Sequence, residues 1–283
     1  MPKKSLSLEN RIRQDWDKLS SYEQQLADVL LAAPGKLATN TATELAESAG
    51  VSKATTSRFF RHLGYESYDE ARRQAREMQN SGSPLYLQPL ADSPSIEHIV
   101  QSHLEKEIAN LVNTYRLIDL QQLDEMASAI AKARRVVVLG WRHSYAIATV
   151  IYRDLINLHQ DVRLLPRTGD SLAEHLAALD PQDIAICVGL RRRMAILDSA
   201  MGALSELDVP MIYITDSLSG KSVKHAKWIL RCHTESSMMF DSTASLSGVC
   251  NLLTSLVGQK VEKSGKDLLS RIELTHQWID ELS

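Results

Sequence analysis

The sequence has few cysteines and no recognisable metal-binding spacing. Its three cysteines, Cys187, Cys232 and Cys250, lie too far apart to form a CxxC pair. We expect buried, reduced thiols in a cytoplasmic protein, and not a disulfide framework. The nine histidines show no HExxH or comparable pattern, so we expect neither a metal ion nor any other cofactor.

The chain also lacks a membrane segment and a strong net charge. No stretch approaches 18 uninterrupted apolar residues, and the polar start MPKKSLSLENRIRQDW contains no signal-peptide pattern, so we expect no membrane association. The formal net charge is −3; residues 1–80 carry 12 Lys/Arg and 11 Asp/Glu, and the remainder carries 20 and 24. Any contact with nucleic acid must therefore come from a local basic patch.

Two short helical patterns separated by a turn occur in residues 41–64, TATELAESAGVSKATTSRFFRHLG. Thr41 and Glu44 form a capping box at the start of the first pattern. Gly50 stands where a helix ends in a residue that tolerates positive φ, and Ser52 caps the second helix. This layout predicts a helix-turn-helix, whose second helix enters the DNA major groove.

The composition of the second helix fits that role. No acidic residue occurs from Ser52 to Tyr65, and we expect Phe59, Phe60 and Leu63 to face the core. An ordinary helical hairpin with a solvated basic side would show the same spacing. The expected DNA contacts are Ser52, Lys53, Thr55, Thr56, Arg58 and Arg61.

The N-terminal region resembles the DNA-binding domain of the RpiR/MurR family of bacterial transcriptional regulators. In that family a winged or three-helix head is joined to a C-terminal SIS (sugar isomerase) domain. The resemblance rests on LSSYEQQLA at 19–27, ELA at 44–46, GVS at 50–52, Ala54-Thr55, Arg58-Phe59 and LGY at 63–65.

Turn-forming residues after residue 80 indicate a domain boundary. We expect an all-α helix-turn-helix domain at 1–80, a linker at 81–95 and a second domain at 96–283. A helical pattern from Ile96 to Leu117 carries a broad apolar stripe, which packs on its own body or on a partner chain. We expect a homodimer or homotetramer that binds an inverted-repeat operator in double-stranded DNA.

In the second domain, short apolar runs alternate with helical patterns. This alternation predicts an α/β three-layer fold with a parallel, doubly wound five-stranded sheet, which binds ligands at the carboxyl ends of its strands. The order and length of the elements resemble a SIS domain. The predicted strands are 136–140, 162–165, 183–190, 210–215 and 228–232.

SIS domains bind phosphorylated sugars through two loops, and both loops depart from the family pattern here. The first, G-x-G-x-S in the family, reads GWRHS from Gly140, with Arg142 in place of the second glycine. The second, S-x-S-G-x-T in the family, reads GLRRRM from Gly189 and has lost every hydroxyl. Arginine pairs with carboxylate or phosphate through two parallel hydrogen bonds, so we expect a small anionic effector, either a sugar phosphate or a carboxylate.

The expected function is a transcriptional regulator and not an enzyme, with no catalytic residue. A sugar-phosphate isomerase with a helical accessory domain is the first alternative, but isomerisation needs a positioned base that the loops do not obviously supply. A SIS module that does not bind DNA is the second.

One or more of the loop arginines could instead bind a neighbouring subunit or the C-terminus of a helix. The expected effector contacts are Gly140, Arg142, His143, Ser144, Gly189, Arg191, Arg192, Arg193, Thr215 and Ser217.

Overall fold

The structure, a computed structural model, divides the chain into two compact units, Met1–Ile96 and Glu97–Ser283. The predicted linker at 81–95 lies, except for Ser95, outside the described residues, so the predicted domain bounds stay predictions. No helix among the described residues is both long enough and apolar enough to span a membrane. The described residues are 6–80, 95–216, 220–236, 238, 240–261 and 263–281.

The described part of the first unit is helical and contains no strand. Its fourth and fifth helices form the predicted helix-turn-helix. The capping box of Thr41 and Glu44, the positive φ of Gly50 (64°) and the Ser52 cap are all present, which confirms the local predictions. The helices are α1 (Leu8–Asp15), α2 (Ser21–Ala32), α3 (Lys36–Thr39), α4 (Ala42–Ser48), α5 (Lys53–His62) and α6 (Tyr68–Asn80).

An aromatic cluster holds α5 in the first unit. Phe59 and Phe60 are fully buried, with ring centroids 5.2 Å apart in an edge-to-face arrangement, and Leu63 is buried beside them, as predicted. Phe60 also packs edge-to-face on Tyr65 and Tyr68. Burial of such a side chain contributes about 1.5–3 kcal/mol, so the apolar side of α5 is held inward and its polar side is left to solvent.

Two arginines of α6 have a structural role that the sequence did not reveal. Arg76 Nε donates to the carbonyl of Ala38 over 2.9 Å, and Arg72 Nη2 donates to that of Thr39 over 2.9 Å. Both arginines therefore cap the C-terminus of α3, where unpaired carbonyls and the helix dipole attract cations.

The second unit contains a five-stranded, all-parallel sheet, which confirms the predicted fold class. The strand order is β2-β1-β3-β4-β5, so β1 lies between β2 and β3. The winding of the chain therefore changes direction between β1 and β3, and the carboxyl ends of strands at such a point are where open α/β sheets bind ligands. The strands are β1 (Val136–Leu139), β2 (Val162–Leu165), β3 (Ile184–Gly189), β4 (Met211–Asp216) and β5 (Trp228–Cys232).

Helices cover both faces of the sheet. Helices α8, α9 and α12 bury one face, and α10 and α11 bury the other. The three cysteines are buried and free, as expected, and burial raises the pKa of Cys187 and of Cys232 to about 12, so both thiols stay protonated at neutral pH. The helices are α7 (Ile96–Arg116), α8 (Leu120–Lys132), α9 (His143–Leu155), α10 (Leu172–Leu176), α11 (Ala195–Glu206), α12 (Ala244–Lys260) and α13 (Lys263–Ile279).

A buried carboxylate joins the start of β3 to the start of β1. Asp183 accepts two hydrogen bonds from the Arg134 guanidinium, over 2.9 and 2.7 Å, and a third from the N–H of Asp180 over 3.0 Å. Burial alone would raise the pKa of Asp183, but these hydrogen bonds and the Arg134 charge hold it below its ordinary value. The ionised form of Asp183 therefore stabilises the folded state.

Asp183→Asn should lower the free energy of unfolding at pH 7 by about 1–2 kcal/mol. This value is near the lower end of the usual contribution of a hydrogen bond to a charged group, because Arg134 is half exposed and water screens its charge. A depressed folded-state pKa stabilises the fold above the unfolded-state pKa of about 4, and this stabilisation is lost as the pH falls through the folded-state value. The melting-temperature difference between wild type and variant should thus shrink from pH 7 to pH 3.

Asp180→Asn is the matched control, because Asp180 contacts the same guanidinium over 2.9 Å but is 44% exposed. It should change the melting temperature little. A deficit in Asp183→Asn that is independent of pH would contradict the electrostatic explanation.

Candidate DNA-binding surface and candidate anion site

Helix α5 presents one continuous polar face to solvent. Residues at positions i, i+4 and i+8 of a helix share a face, and Lys53, Ser57 and Arg61 follow that spacing. The predicted contacts Ser52, Lys53, Arg58 and Arg61 are all exposed. The exposed residues within α5 are Lys53, Ala54, Ser57, Arg58 and Arg61.

Two of the predicted DNA contacts are turned inward. Thr56 is fully buried and its Oγ1 donates to the carbonyl of Ser52 over 3.4 Å. Thr55 is 8% exposed, and its N–H and hydroxyl lie 3.1 and 2.9 Å from Ser52 Oγ. Thr56 has no path to a base edge, so we remove it from the surface and place Ser57 there. The expected contacts omitted Ser57, although its i, i+4, i+8 spacing with Lys53 and Arg61 was a signal in the sequence that could have identified it.

Arg58→Ala and Arg61→Ala should each weaken operator binding. If either side chain contacts only phosphate, affinity should fall similarly for all sequences and the slope of log affinity against log salt should flatten by about one unit. Fluorescence anisotropy at several salt concentrations measures both quantities. Arg153→Ala, which removes an exposed cation of α9, is the control and should leave the slope unchanged.

Base preference should depend on Ser57 and not on Thr56. Ser57→Ala should alter the preferred sequence in a binding selection, because its hydroxyl lies on the exposed face. Thr56→Ala should lower stability and leave the preference unchanged. A shift of preference in Thr56→Ala alone would show that this description of the surface is wrong.

In the second unit, a glycine follows β1 and another is the last residue of β3, and neither has space for a side chain. A Cβ on Gly140 would lie 2.6 Å from the carbonyl oxygen of Ser144, and one on Gly189 would lie 2.5 Å from Leu197 Cδ2. Both distances are far below van der Waals contact. The absence of a Cβ lets α9 and α11 pack closely against the ends of the strands, and the N-termini of both helices follow the carboxyl ends of β1 and β3.

Ser144 joins the two loops to each other. Its Oγ accepts a hydrogen bond from the N–H of Leu190 over 3.1 Å, and the side chain is buried. His143, the first residue of α9, is exposed beside it. The hydroxyl at the position of the family serine is thus present, and it holds the loop after β1 against the loop after β3.

Arg193 is enclosed by the end of β4. Its Nε donates to Tyr213 Oη over 2.9 Å, and its Nη2 donates to Thr215 Oγ1 over 2.8 Å and to Asp216 Oδ1 over 2.5 Å. Burial alone would lower the pKa of Arg193, but the negative charge of its partners raises it above the ordinary value. This arginine is a permanent cation that ties the loop to β4.

Thr215 also has an internal role. The side chain is fully buried, and besides accepting from Arg193 its hydroxyl donates to the carbonyl of Gly189 over 2.8 Å. We therefore withdraw Thr215 and Arg193 from the expected effector contacts, because each is occupied by the other. Ser217, the remaining expected contact after β4, lies outside the described residues.

Arg191 is paired with a carboxylate distant in the sequence. Its Nε donates to Asp241 Oδ2 over 3.0 Å, and its Nη2 donates to Asp241 Oδ1. The two side chains are 25% and 26% exposed. No local pattern in the sequence pointed to Asp241, which lies 50 positions after its partner.

Arg142 and Arg192 differ from the other two arginines. Both are exposed, and neither guanidinium forms a hydrogen bond or an ion pair within the part of the chain that the structure describes. Both adopt positive φ, 55° and 65°, which is unfavourable for residues other than glycine. Arg142, at the position of the second glycine of the family pattern, thus has a backbone conformation that glycine tolerates and places a guanidinium at the N-cap of α9.

The chain matches two known domain families. Residues 6–81 match the helix-turn-helix domain of the rpiR family, and residues 129–256 match the SIS domain. These matches confirm the resemblance seen in both halves of the sequence. An HTH-type transcriptional regulator of Thermotoga maritima is 20% identical over 277 residues, covering 94% of this chain and 98% of that one.

Solved structures give the same assignment. The sugar isomerase domain of an RpiR transcription factor from Sphaerobacter thermophilus superposes with a TM-score of 0.57 at 26% identity, covering 62% of this chain and 97% of that one. The Vibrio vulnificus NanR protein, complexed with ManNAc-6P, superposes with a TM-score of 0.56 at 19% identity, covering 96% and 99%. The second likeness is one of fold alone.

Proposed function

Because the chain belongs to the rpiR family of helix-turn-helix transcriptional regulators and carries a SIS domain, we propose that a small anion bound in the SIS domain controls its binding to an operator. The observation that carries the proposal is the division of the loop arginines. Arg191 is paired with Asp241 and Arg193 with Asp216. The side chains of Arg142 and Arg192 have no partner among the described residues and are therefore available to a ligand.

Strain at Arg142 supports a binding role. A residue other than glycine at positive φ costs on the order of 1–3 kcal/mol, and such residues concentrate at functional sites. The sequence keeps an arginine where glycine would relieve this cost. Together with Arg192 and the N-terminus of α9, it would surround an anion with guanidinium and backbone N–H donors.

The proposed ligand class is a sugar phosphate or a carboxylate. Both groups accept two parallel hydrogen bonds from a guanidinium. The ManNAc-6P bound to NanR favours the sugar phosphate, whereas the loss of hydroxyls from the second loop favours neither class. A screen of both classes by thermal shift identifies the ligand, since a ligand that binds the native state raises the melting temperature with concentration.

We propose that the site binds its ligand without turning it over. An isomerase needs a positioned base, and within the described loops His143 is the one ionisable group that is not an arginine. The nearby carboxylates Asp216 and Asp241 hold arginines. An exposed histidine on the first turn of a helix is poorly held for proton abstraction.

Arg142→Ala and Arg142→Gly should both weaken binding of the anion found by the screen about 10- to 150-fold, the loss of one hydrogen bond to a charged group. They should differ in stability, because alanine keeps the backbone strain and glycine relieves it. We expect Arg142→Gly to melt above Arg142→Ala. Titrations and melting curves of the two variants separate the ligand contact from the strain.

Operator binding without ligand should stay close to wild type in both variants, since the first unit is unchanged. Arg142→Lys should recover only part of the affinity, because an ammonium cannot form the bidentate pair. A wild-type ligand response in Arg142→Ala would contradict the anion site. If the wild-type protein isomerises sugar phosphates and these variants do not, the result would favour the alternative that the protein is a sugar-phosphate isomerase.

We propose that the regulator binds DNA as a symmetric dimer joined through α7. An apolar stripe of this helix is exposed, whereas its buried residues Asn110 and Thr114 are polar, an arrangement that leaves the stripe available to a second copy. An antiparallel second copy would cover the stripe and bring Glu97 of each helix near Arg116 of the other. The stripe consists of Ile96, Val100, Leu104, Ile108, Val112 and Tyr115, which are 42–80% exposed.

Ile108→Glu should therefore convert the protein to a monomer at micromolar concentration, as measured by sedimentation velocity. Two half-sites one helical turn (~34 Å) apart are bound together only by a dimer, so operator affinity should fall by roughly 10²-fold. Asn113→Glu is the matched control, since it places the same charge on an exposed position outside the stripe. A wild-type protein that sediments as a monomer would refute the dimer.

A further inference from the structure

Helix α7 is attached to the second unit through polar contacts on its inner face. Asn110 Nδ2 donates to the carbonyl of Glu235 over 2.7 Å, and the N–H of His233 donates to Thr114 Oγ1 over 2.8 Å. Asn110 and Thr114 are 2% and 0% exposed. Hydrogen bonds weaken steeply as distance and angle change, so these contacts define the position of the helix narrowly.

The segment that makes these contacts, residues 233–242, ends in two adjacent residues that contact different elements. Ser242 Oγ donates to Glu107 Oε2 on α7 over 2.5 Å. Asp241 accepts the two hydrogen bonds from Arg191, in the loop after β3. A single peptide unit therefore separates a contact with α7 from a contact with Arg191, the residue next to Arg192 of the proposed anion site.

A bound anion would compete with Asp241 for Arg191. Phosphate and carboxylate ligands offer a guanidinium the same bidentate partner as the Asp241 side chain. The Arg191–Asp241 pair is partly solvated, and ion pairs in such positions are weak enough to be replaced. Arg191 thus has two alternative partners, which supplies the two discrete arrangements that coupling between distant sites requires.

We propose that the Arg191–Asp241 ion pair transmits anion binding to α7 through the hydrogen bond between Ser242 and Glu107. This inference rests on the proposed function, because the anion site is its input. Helix α7 begins at the boundary between the two units and is the first element of the second unit. Movement of this helix is therefore passed along the chain toward the DNA-binding domain.

The first test needs no ligand and uses the full chain. Hydrogen–deuterium exchange at residues 104–116 should be roughly two- to fivefold faster in Asp241→Asn and in Arg191→Ala, the equivalent of one partly exposed ion pair. The double variant should exchange no faster than either single variant, because both remove the same interaction. The reversed pair, Arg191→Asp with Asp241→Arg, should restore slow exchange.

Asp198→Asn is the matched control. Asp198 accepts a hydrogen bond from Ser222 over 3.0 Å in the same unit, and neither side chain is hydrogen-bonded or ion-paired to the described residues of the 233–242 segment. This variant should leave exchange at residues 104–116 as in wild type. Equal acceleration in Asp198→Asn would show general loosening of the unit and would overturn the proposal.

The second test separates transmission from binding, with inorganic phosphate as the probe and chloride at equal ionic strength as the reference. Asp241→Asn should keep the phosphate-induced rise in melting temperature but lose the effect of phosphate on operator affinity. Retention of that effect in Asp241→Asn would overturn the proposal.

The outcomes distinguish the two proposals. Wild-type exchange at residues 104–116 in Asp241→Asn would overturn the transmission path, whether or not phosphate binds. Additive acceleration in the double variant would also overturn it. If no anion raises the melting temperature of the wild type, the proposed anion site is contradicted. The ligand-free exchange measurement would still show whether the Arg191–Asp241 ion pair stabilises α7.

Discussion

The second unit depends on the close approach of backbone at the carboxyl ends of β1 and β3. Gly140 and Gly189 leave no space for a Cβ, and Ser144 Oγ then accepts from the N–H of Leu190 across the two loops. A side chain at either glycine would push the helix that follows away from the sheet. This steric constraint keeps the two loops in contact at the point where the winding of the sheet reverses, which is where parallel α/β sheets bind ligands.

The arginines at this edge of the sheet are separated by burial and by their partners. Arg193 is enclosed by Tyr213, Thr215 and Asp216 and acts as a structural cation. Arg191 is half-buried and holds a displaceable carboxylate, whereas Arg142 and Arg192 extend into solvent. A chain that replaced the hydroxyls of a sugar-phosphate loop with arginines could not direct all of them at one ligand, because closely spaced guanidinium groups repel one another unless carboxylates neutralise some of them.

Much of the fold was predictable because it is encoded in local patterns. Helical periodicity, the caps at Thr41 and Ser52, and alternating strands and helices depend on residues a few positions apart, and all of them appear as expected. The five parallel strands and the two glycine loops follow from the same kind of information. The short helix α3 was missed, since four residues are too few to show a period.

The sequence by itself determined the two fold types, the recognition helix and the loops that line the candidate site. Tertiary structure alone decided which polar side chains remain available. Thr56 is buried although the neighbouring Ser57 is exposed, and α7 buries Asn110 and Thr114 while its apolar stripe stays exposed. Arg191 pairs with Asp241, 50 positions away, and Ser242 bonds to Glu107, 135 positions away. Periodicity specifies the face on which a residue lies, but only the folded chain brings together partners so distant in sequence, and desolvation then decides which charges stay paired.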